Sequence, residues 1–511
     1  MDNKSTKATN EAPVLIVGGS LVGLSAAVFL AARGVKAVLV EPHLGSHPHP
    51  RAIGYTARTL ELFAAAGVKG VPETPPGFRL SRAEVESLSG PWKQTTEWTP
   101  TAETKARPMT DFSPHTGAAI AQDLLEPKLR ARALELGAEL RLGTRLERFE
   151  QDDEGVTTWL RDRDGRESTL RVQYVVACDG TKSEVREALG LGRSGPGPLQ
   201  VMRSVLFRAP LEQYLQRGVS QFEINQPGFR AFLTTYGDGR WVLMFFDGEE
   251  RTEQQQREAI VRAIGRDDVP VELITTGVWE LSALTTDRFS KGRVFLAGDA
   301  AHTLPPTRGG FGANTGIADV HNLAWKLAAV LEGKAERALL ETYDEERRPI
   351  AWTRLEQTFA RPDYARFATH QRPVPLFDDA AMEFGQLYRS KIISESSPSL
   401  PDAASPDVWK GQPGTRAPHL PTKTGSTLDL LQRGWVLLCS DARWVEAARG
   451  LEVQVRRLGV DFETDGFHAA FGLGAGGATL IRPDGVVAWR ARDFESEALG
   501  PAFVVAAQAR C

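Results

Sequence analysis

The stretch VLIVGGSLVGLSAAVFLAARGVKAVLVE, residues 14–41, constrains the fold more than any other part of the chain. VLIV reads as a short buried parallel strand, and a helix with Leu21, Leu24, Phe29 and Leu30 on an apolar face should follow it. KAVLVE then reads as a second strand, so the segment predicts a βαβ unit. Gly18 and Gly23 hold the outer places of a G-x-G-x-x-G pattern, while Ser20 stands where its middle glycine belongs. Glycines at such a turn let the backbone approach a pyrophosphate, whose charge the helix N-terminus holds. Serine is small and can cap the helix or donate to phosphate. Glu41, eighteen residues after Gly23, ends the second strand where a ribose-binding acid is expected. Alone, the stretch fits either a nucleotide loop or a glycine-rich strand–helix corner.

Composition narrows the class. A chain of 511 residues has room for two or three domains and a large core. With 61 Lys+Arg against 65 Asp+Glu the net charge is −4, and no basic block stands out, which argues against nucleic acid. Cys178, Cys439 and Cys511 are odd in number and far apart, giving neither a disulfide framework nor metal spacing, as in a cytoplasmic protein. The polar start MDNKSTKATNEAP lacks a secretory h-region, and residues 1–12 are expected to be a disordered tail. No apolar run reaches the length of a membrane span. His43, His47 and His49 lie close together in HLGSHPHP, but interleaved prolines and the lack of a carboxylate or cysteine cluster predict no metal site.

Further along, LLEPKLRARALELG has a helical pattern, and VTTWLRDRDGRESTLRVQYVVACDG reads as a hairpin and a strand. Residues 200–247 are alternating and aromatic-rich, which predicts an antiparallel sheet. The aperiodic stretch 76–117, with Trp92 and Trp98, is expected to pack against it. RVFLAGDAAH returns to the buried-strand signature, and ADVHNLAWKLAAVLEG is a helix ended by Gly333. Dense prolines and serines predict an irregular linker over 371–413, and the last hundred residues read as a further α/β segment.

Two later segments repeat the logic of the first loop. YVVACDGTKSEVREALG puts Asp179 and Gly180 at a strand end, with Ser183, Val185 and Arg186 opening a helix. RVFLAGDAAHTLPPTRGGFGANTGIADVHNLAWKL puts Gly298 and Asp299 at another, followed by Pro306, a glycine-rich loop and a helix. With these three ordered motifs the chain resembles the FAD-dependent aromatic hydroxylases of the para-hydroxybenzoate hydroxylase type, and within them the aromatic-polyketide hydroxylases. The resemblance runs from about residue 13 to 360 and resumes over about 414–490. It implies an α/β fold with a Rossmann-like FAD-binding domain (13–75, 118–196 and 285–370), a β-sheet substrate domain (76–117 and 197–284) and a thioredoxin-like domain (414–511).

The same resemblance implies a cofactor site built from Gly18, Ser20, Leu21, Val22, Gly23, Glu41, Arg51, Gln122, Asp179, Gly180, Gly298, Asp299, Pro306, Gly310, Gly312, Ala313 and Asn314. Asp299 would bind the ribityl chain, and the 310–314 turn would direct N–H groups at the N1–C2=O side of the isoalloxazine. The implied chemistry is reduction of FAD by NADPH or NADH, addition of O2 at flavin C4a, and transfer of the distal oxygen of that hydroperoxide to an electron-rich aromatic carbon. No catalytic side chain is assigned; Arg51 and Arg308 are the candidates near the flavin, and Arg308 looks like a one-residue insertion in the family's P-P-T-G-G-x-G-x-N loop. His302 is expected to be structural, and Cys439, in CSDARW, has no C-x-x-C partner. Phe222, Phe232, Trp241 and Met244 are expected in the wall of a pocket for a flat, polycyclic phenol or quinone, with about half of the alternating positions facing elsewhere. The other readings are Baeyer–Villiger oxygen insertion on the same scaffold, a small phenol as substrate, or a flavin-bound protein that sequesters a ligand without turnover. A monomer or homodimer is expected.

Overall fold

The computed structural model describes residues 12–78, 81–97, 108–306, 311–367, 374–394, 397–431 and 434–508. Its N-terminal core is a six-stranded sheet in the order Ser290–Lys291, Val294–Leu296, Tyr174–Ala177, Val14–Val17, Ala37–Glu41, Glu139–Leu142. All neighbours are parallel except the short first strand. Val14–Val17 and Tyr174–Ala177 are buried along their whole length, as strands covered on both faces must be. Helix α1 (Leu21–Ala31) covers one face and packs against α3 (Gln122–Glu135) and α6 (Phe311–Leu331). Between them in the chain come α2 (Ala57–Ala65), α4 (Glu184–Ala188) and α5 (Glu253–Ile264); α7 (Thr342–Phe359) and α8 (Asp379–Phe384) follow α6. A mostly parallel sheet flanked by helices in this way is a Rossmann-type α/β arrangement.

The second sheet has eight strands, ordered His302–Thr303, Glu272–Thr286, Arg193–Arg208, Arg240–Phe245, Phe229–Thr235, Gln221–Gln226, Ser81–Val85, Trp92–Glu97. The last two come from the stretch expected only to pack against the sheet: they join it, Ser81–Val85 pairing in parallel with Gln221–Gln226. Trp92 meets Phe222 edge-to-face at 5.4 Å, whereas Trp98 lies outside the described residues. One face is closed by α5, whose Ile260 and Ile264 pack in a cluster with Phe222, Leu233, Trp241 and Phe245. Phe222 and Trp241 therefore belong to this helix-covered core, not to a pocket wall. Phe232 and Met244 alternate to the opposite face, pair across strands with each other and remain half-buried.

The C-terminal sheet runs Val453–Arg457, Trp435–Cys439, Ala478–Ile481, Val487–Ala491, with the first pair parallel and the others antiparallel. The segment expected to be an irregular linker is largely packed. It carries α8 and the turn Pro406–Trp409, it buries Ile392 and Ile393 beside Trp325 and Trp435, and Trp409 Nε1 donates to Gly385 O at 2.7 Å. Tertiary contacts here satisfy the backbone that local proline content leaves irregular.

A fully buried charge network ties this last domain to the first. Arg482 reaches Glu346 of α7 with two bonds, 2.6 and 2.9 Å, and Asp484 at 3.0 Å, while Lys326 of α6 approaches Glu346 at 2.9 Å. Burial alone would raise the Glu346 carboxyl, but Arg482 and Lys326 hold it well below its ordinary value of 4.5. Its stabilising contribution is present above that value and is lost as pH falls toward the depressed one. Removing one partner leaves uncompensated charge, so Arg482→Met should cost about 3–5 kcal/mol, read as a lower denaturant midpoint near neutral pH. An unchanged midpoint would contradict the network's role.

Candidate flavin site

The three motif loops end adjacent strands. Gly18 follows Val14–Val17, Asp179 and Gly180 follow Tyr174–Ala177, Gly298 and Asp299 follow Val294–Leu296, and Glu41 closes Ala37–Glu41 on the other flank. At a strand spacing of about 4.8 Å this row of four strand ends spans roughly 14 Å along the carboxyl edge of the sheet, the usual ligand-binding edge of open α/β folds.

Close backbone approach shapes the first loop. A Cβ on Gly23 would lie 1.8 Å from Gly18 O, and one on Gly18, which has a φ of +100°, 2.4 Å from Cys178 O. Glu41 Oε2 accepts the Gly19 N–H at 2.7 Å, and its other oxygen accepts the His43 N–H at 3.0 Å. Ser20 occupies the N-cap position of α1 with no side-chain cap bond. The expected serine cap is therefore absent: Ser20 Oγ donates instead to the buried Glu126 of α3 at 2.7 Å. Gln122 Nε2 donates to both, at 2.9 and 2.8 Å, and Gln122 Oε1 accepts the N–H groups of Arg51 and Ala52 at 3.4 and 3.3 Å. The Arg51 guanidinium is exposed and has no partner among the described residues.

In the second loop Asp179 Oδ2 accepts the Val185 N–H at 3.1 Å, while buried Oδ1 has no partner among the described residues, and burial pushes the carboxyl up. The third loop rests on Asp319 of α6. Its carboxylate accepts His302 Nε2 at 2.7 Å, the Gly298 N–H at 3.2 Å and Arg347 Nε at 2.8 Å. Burial would raise Asp319, but His302 and Arg347 hold it below the ordinary range. His302 thus has a structural partner, and Asp299 stays exposed at the edge, 3.4 Å from Thr181 Oγ1. Val22 packs closely against both Gly298 and Gly316, and Leu21 is buried.

Pro306 O accepts the Tyr364 hydroxyl at 2.5 Å; Arg308 and Gly310 lie outside the described residues. Gly312 and Ala313 stand half-buried in the first turn of α6, where, among the described residues outside that helix, a Cβ on Gly312 would meet nothing nearer than Leu304 O at 3.9 Å. Asn314 is buried: its Oδ1 accepts the Thr56 N–H at 3.0 Å and the Thr59 hydroxyl at 2.6 Å, and its Nδ2 donates to Gly54 O at 3.2 Å. Behind it a polar cavity of about 50 Å³ is lined by Thr59, His321, Asn322, Arg354 and Glu383, among others. The histidines of HLGSHPHP separate: His43 bonds Glu41 at 2.5 Å, His47 bonds the His49 backbone, and His49 reaches Ser204 of the second sheet at 2.8 Å.

These residues fit FAD. Among the described residues, a carboxylate oxygen of Asp179 without a partner, an Arg51 guanidinium without one and the half-buried Gly312 and Ala313 in the first turn of α6 suit a ligand that offers hydroxyls, carries phosphate and ends in a flat polar ring system. Sequence reasoning missed Glu126, Asp319, Arg347 and Ser204. Only Asp319 left a trace, a lone acid within the apolar run GIADVHNLAWKL.

Residues 11–358 match the family described as FAD binding domain, and 410–504 match the aromatic-ring hydroxylase C-terminal family. The chain belongs to the FAD-dependent aromatic-ring hydroxylases: it is an FAD-binding, NAD(P)H-dependent monooxygenase. It is 39% identical to a 4-methyl-5-nitrocatechol 5-monooxygenase from a Burkholderia species, over 95% of both chains. It is 36% identical to the tetracenomycin A2 monooxygenase-dioxygenase of Streptomyces glaucescens, over 96% of this chain and 95% of that one. The crystal structure of a ternary complex of aklavinone-11 hydroxylase with FAD and aklavinone superposes with a TM-score of 0.87 at 34% identity, covering 98% of this chain and 99% of that one.

Two outcomes test the site. Gly312→Ala should leave the apoprotein as stable or slightly more so, since alanine suits a helix, yet weaken FAD binding about tenfold, because the flavin is read as packing against that first turn. Equal FAD affinity would place the ligand elsewhere. Glu383, pushed up to about 7 mainly by burial, favours the proton in the folded state. Stability is therefore lost as pH rises from its ordinary 4.5 toward 7. Glu383→Gln should raise Tm at about pH 8 and lose that gain by about pH 5; a gain independent of pH would contradict the assignment.

Proposed function

We propose that this enzyme hydroxylates a phenolic or quinonoid polycyclic aromatic of polyketide type, held between the strand-end row and the Phe232/Met244 face of the second sheet. The observation that carries the reading is the position of that half-buried apolar face, turned toward the segment that bears Arg51. The tetracenomycin and aklavinone enzymes, matched over nearly the whole chain, favour a substrate of that shape. A second reading, a small catechol, is favoured by the nitrocatechol monooxygenase relative.

In this proposal Glu41 lies by the adenosine ribose, and the Gly18–Gly23 turn with the α1 N-terminus holds the pyrophosphate. Asp179, Gly180, Gly298 and Asp299 receive the ribityl side, Asp299 accepting hydroxyl protons with its exposed carboxylate. Arg51, Gln122, Pro306 and the Gly312–Asn314 turn border the flavin ring, with α6 N–H groups aimed at its polar edge and stabilising negative charge there. Arg308 and Gly310 precede this turn in the sequence. Bound FAD supplies the redox chemistry: NAD(P)H gives two electrons, one atom of O2 joins the ring and the other leaves as water. The protein's contribution is to orient the aromatic and exclude water. The C-terminal sheet, with its parallel first pair and two antiparallel additions, supports a thioredoxin-like domain over 414–511. Its buried Cys439, in a chain without C-x-x-C, gives it a packing role, and the free cysteines suit a cytoplasmic location.

Anaerobic reduction by NADPH and by NADH, across polycyclic phenols and small catechols, followed by oxygen and product analysis, tests the reading. Faster reduction with a polycyclic phenol and one oxygen gained on its ring is expected. A lactone product would mean oxygen insertion, turnover of catechols alone the small-substrate reading, and no stimulation by any aromatic a sequestering role.

A further inference from the structure

The long strand Glu272–Thr286 carries a glycine at 277 whose backbone has no positive φ, so conformation does not demand it. Space does. A Cβ there would lie 2.8 Å from Ser204 Oγ, 3.0 Å from His49 Cδ2 and 3.1 Å from His49 Nε2. Glycine inside a strand weakens it and marks a close approach. What approaches is His49, 4% exposed, from the segment before Arg51.

The niche is specific. His49 Nε2 lies 2.8 Å from Ser204 Oγ, and its ring stands edge-on to Trp279 at 6.2 Å. Nδ1 faces Pro50 O at 3.4 Å, which assigns the proton to Nδ1 and lets Nε2 accept from Ser204. Burial pulls the imidazole below its ordinary value, so it sits there neutral. The next residue is held as firmly: Tyr236, just past the strand Phe229–Thr235 of the second sheet, donates its hydroxyl to Pro50 O at 2.6 Å. Beyond it, the N–H groups of Arg51 and Ala52 bond Gln122 of the first domain. The backbone at 49–52 is thus fastened to both domains, and the Arg51 guanidinium alone projects without a partner among the described residues.

We infer that His49, seated in the Gly277/Ser204 niche, is a positioning residue that aims Arg51 at the flavin and ties that aim to the substrate sheet. The inference rests on the reading of Arg51 as a flavin contact. Small displacements of such a group are costly, because oriented contacts act only over short distances.

A double-mutant comparison on the full chain, stripped of FAD and titrated with it, tests this. The readouts are FAD affinity by fluorescence and the position of the bound flavin's visible absorption band. Arg51→Ala should shift the band and weaken FAD about tenfold. Gly277→Ala and His49→Leu should reproduce both changes, and His49→Gln, which can still accept from Ser204, should restore them. In the Arg51→Ala background Gly277→Ala and His49→Leu should add nothing. If Gly277→Ala fails to fold, the His49 variants carry the same comparison. Additive effects, or a wild-type band in His49→Leu, would overturn the positioning role while leaving Arg51 as a contact. A silent Arg51→Ala would overturn the Arg51 reading itself.

Discussion

The arrangement hangs on the buried carboxylate of Asp319. It accepts the Gly298 amide at one strand end, His302 just beyond that turn and Arg347 of α7, so one side chain fixes the third loop against two helices. Arg347 continues the chain of contacts to Tyr388 at 2.7 Å and to Thr315 O at 3.2 Å. An ionised acid this deep is tolerated only because cationic and N–H partners surround it. Held in this way, α6 lies against Gly298 at Gly316, and the three loops meet along one edge.

Two kinds of fastening then organise the domains around that edge. Near the C-terminal sheet, Glu346, Lys326, Arg482 and Asp484 form a buried charge network whose members are each costly to bury alone. Near the substrate sheet the fastening is neutral and local: a histidine, a serine hydroxyl and a tyrosine hydroxyl hold the loop that precedes Arg51. Relative movement of the substrate domain would thus be transmitted to the flavin edge through residues 49–51.

The parallel strands were legible in the sequence because burial on both faces makes them continuous apolar runs, and the three motif loops because each carries a glycine at its strand end, with Asp179 and Asp299 at two of them. Ser81–Val85 and Trp92–Glu97 were not, since SRAEV and WKQTTE are polar and owe their structure to pairing at a sheet edge. Alternation identified the aromatic sheet but not which parity faces α5, and Phe222 and Phe232 look alike until the register is known. Ser20 finds its partner in Glu126, 106 residues away, and no local signal links them. The buried Glu346, Lys326, Arg347 and Arg482 carry the composition of a surface and reveal themselves only through one another.

The central claim is that the flavin spans one row of strand ends and reaches the first turn of α6. Hydrogen exchange of the apoprotein with and without FAD measures this directly. Coincident protection of the amides in 18–23, 179–185, 298–300 and 312–316, with the C-terminal sheet unchanged, is the expected result. Protection confined to one loop, or appearing instead in the C-terminal sheet, would contradict the account.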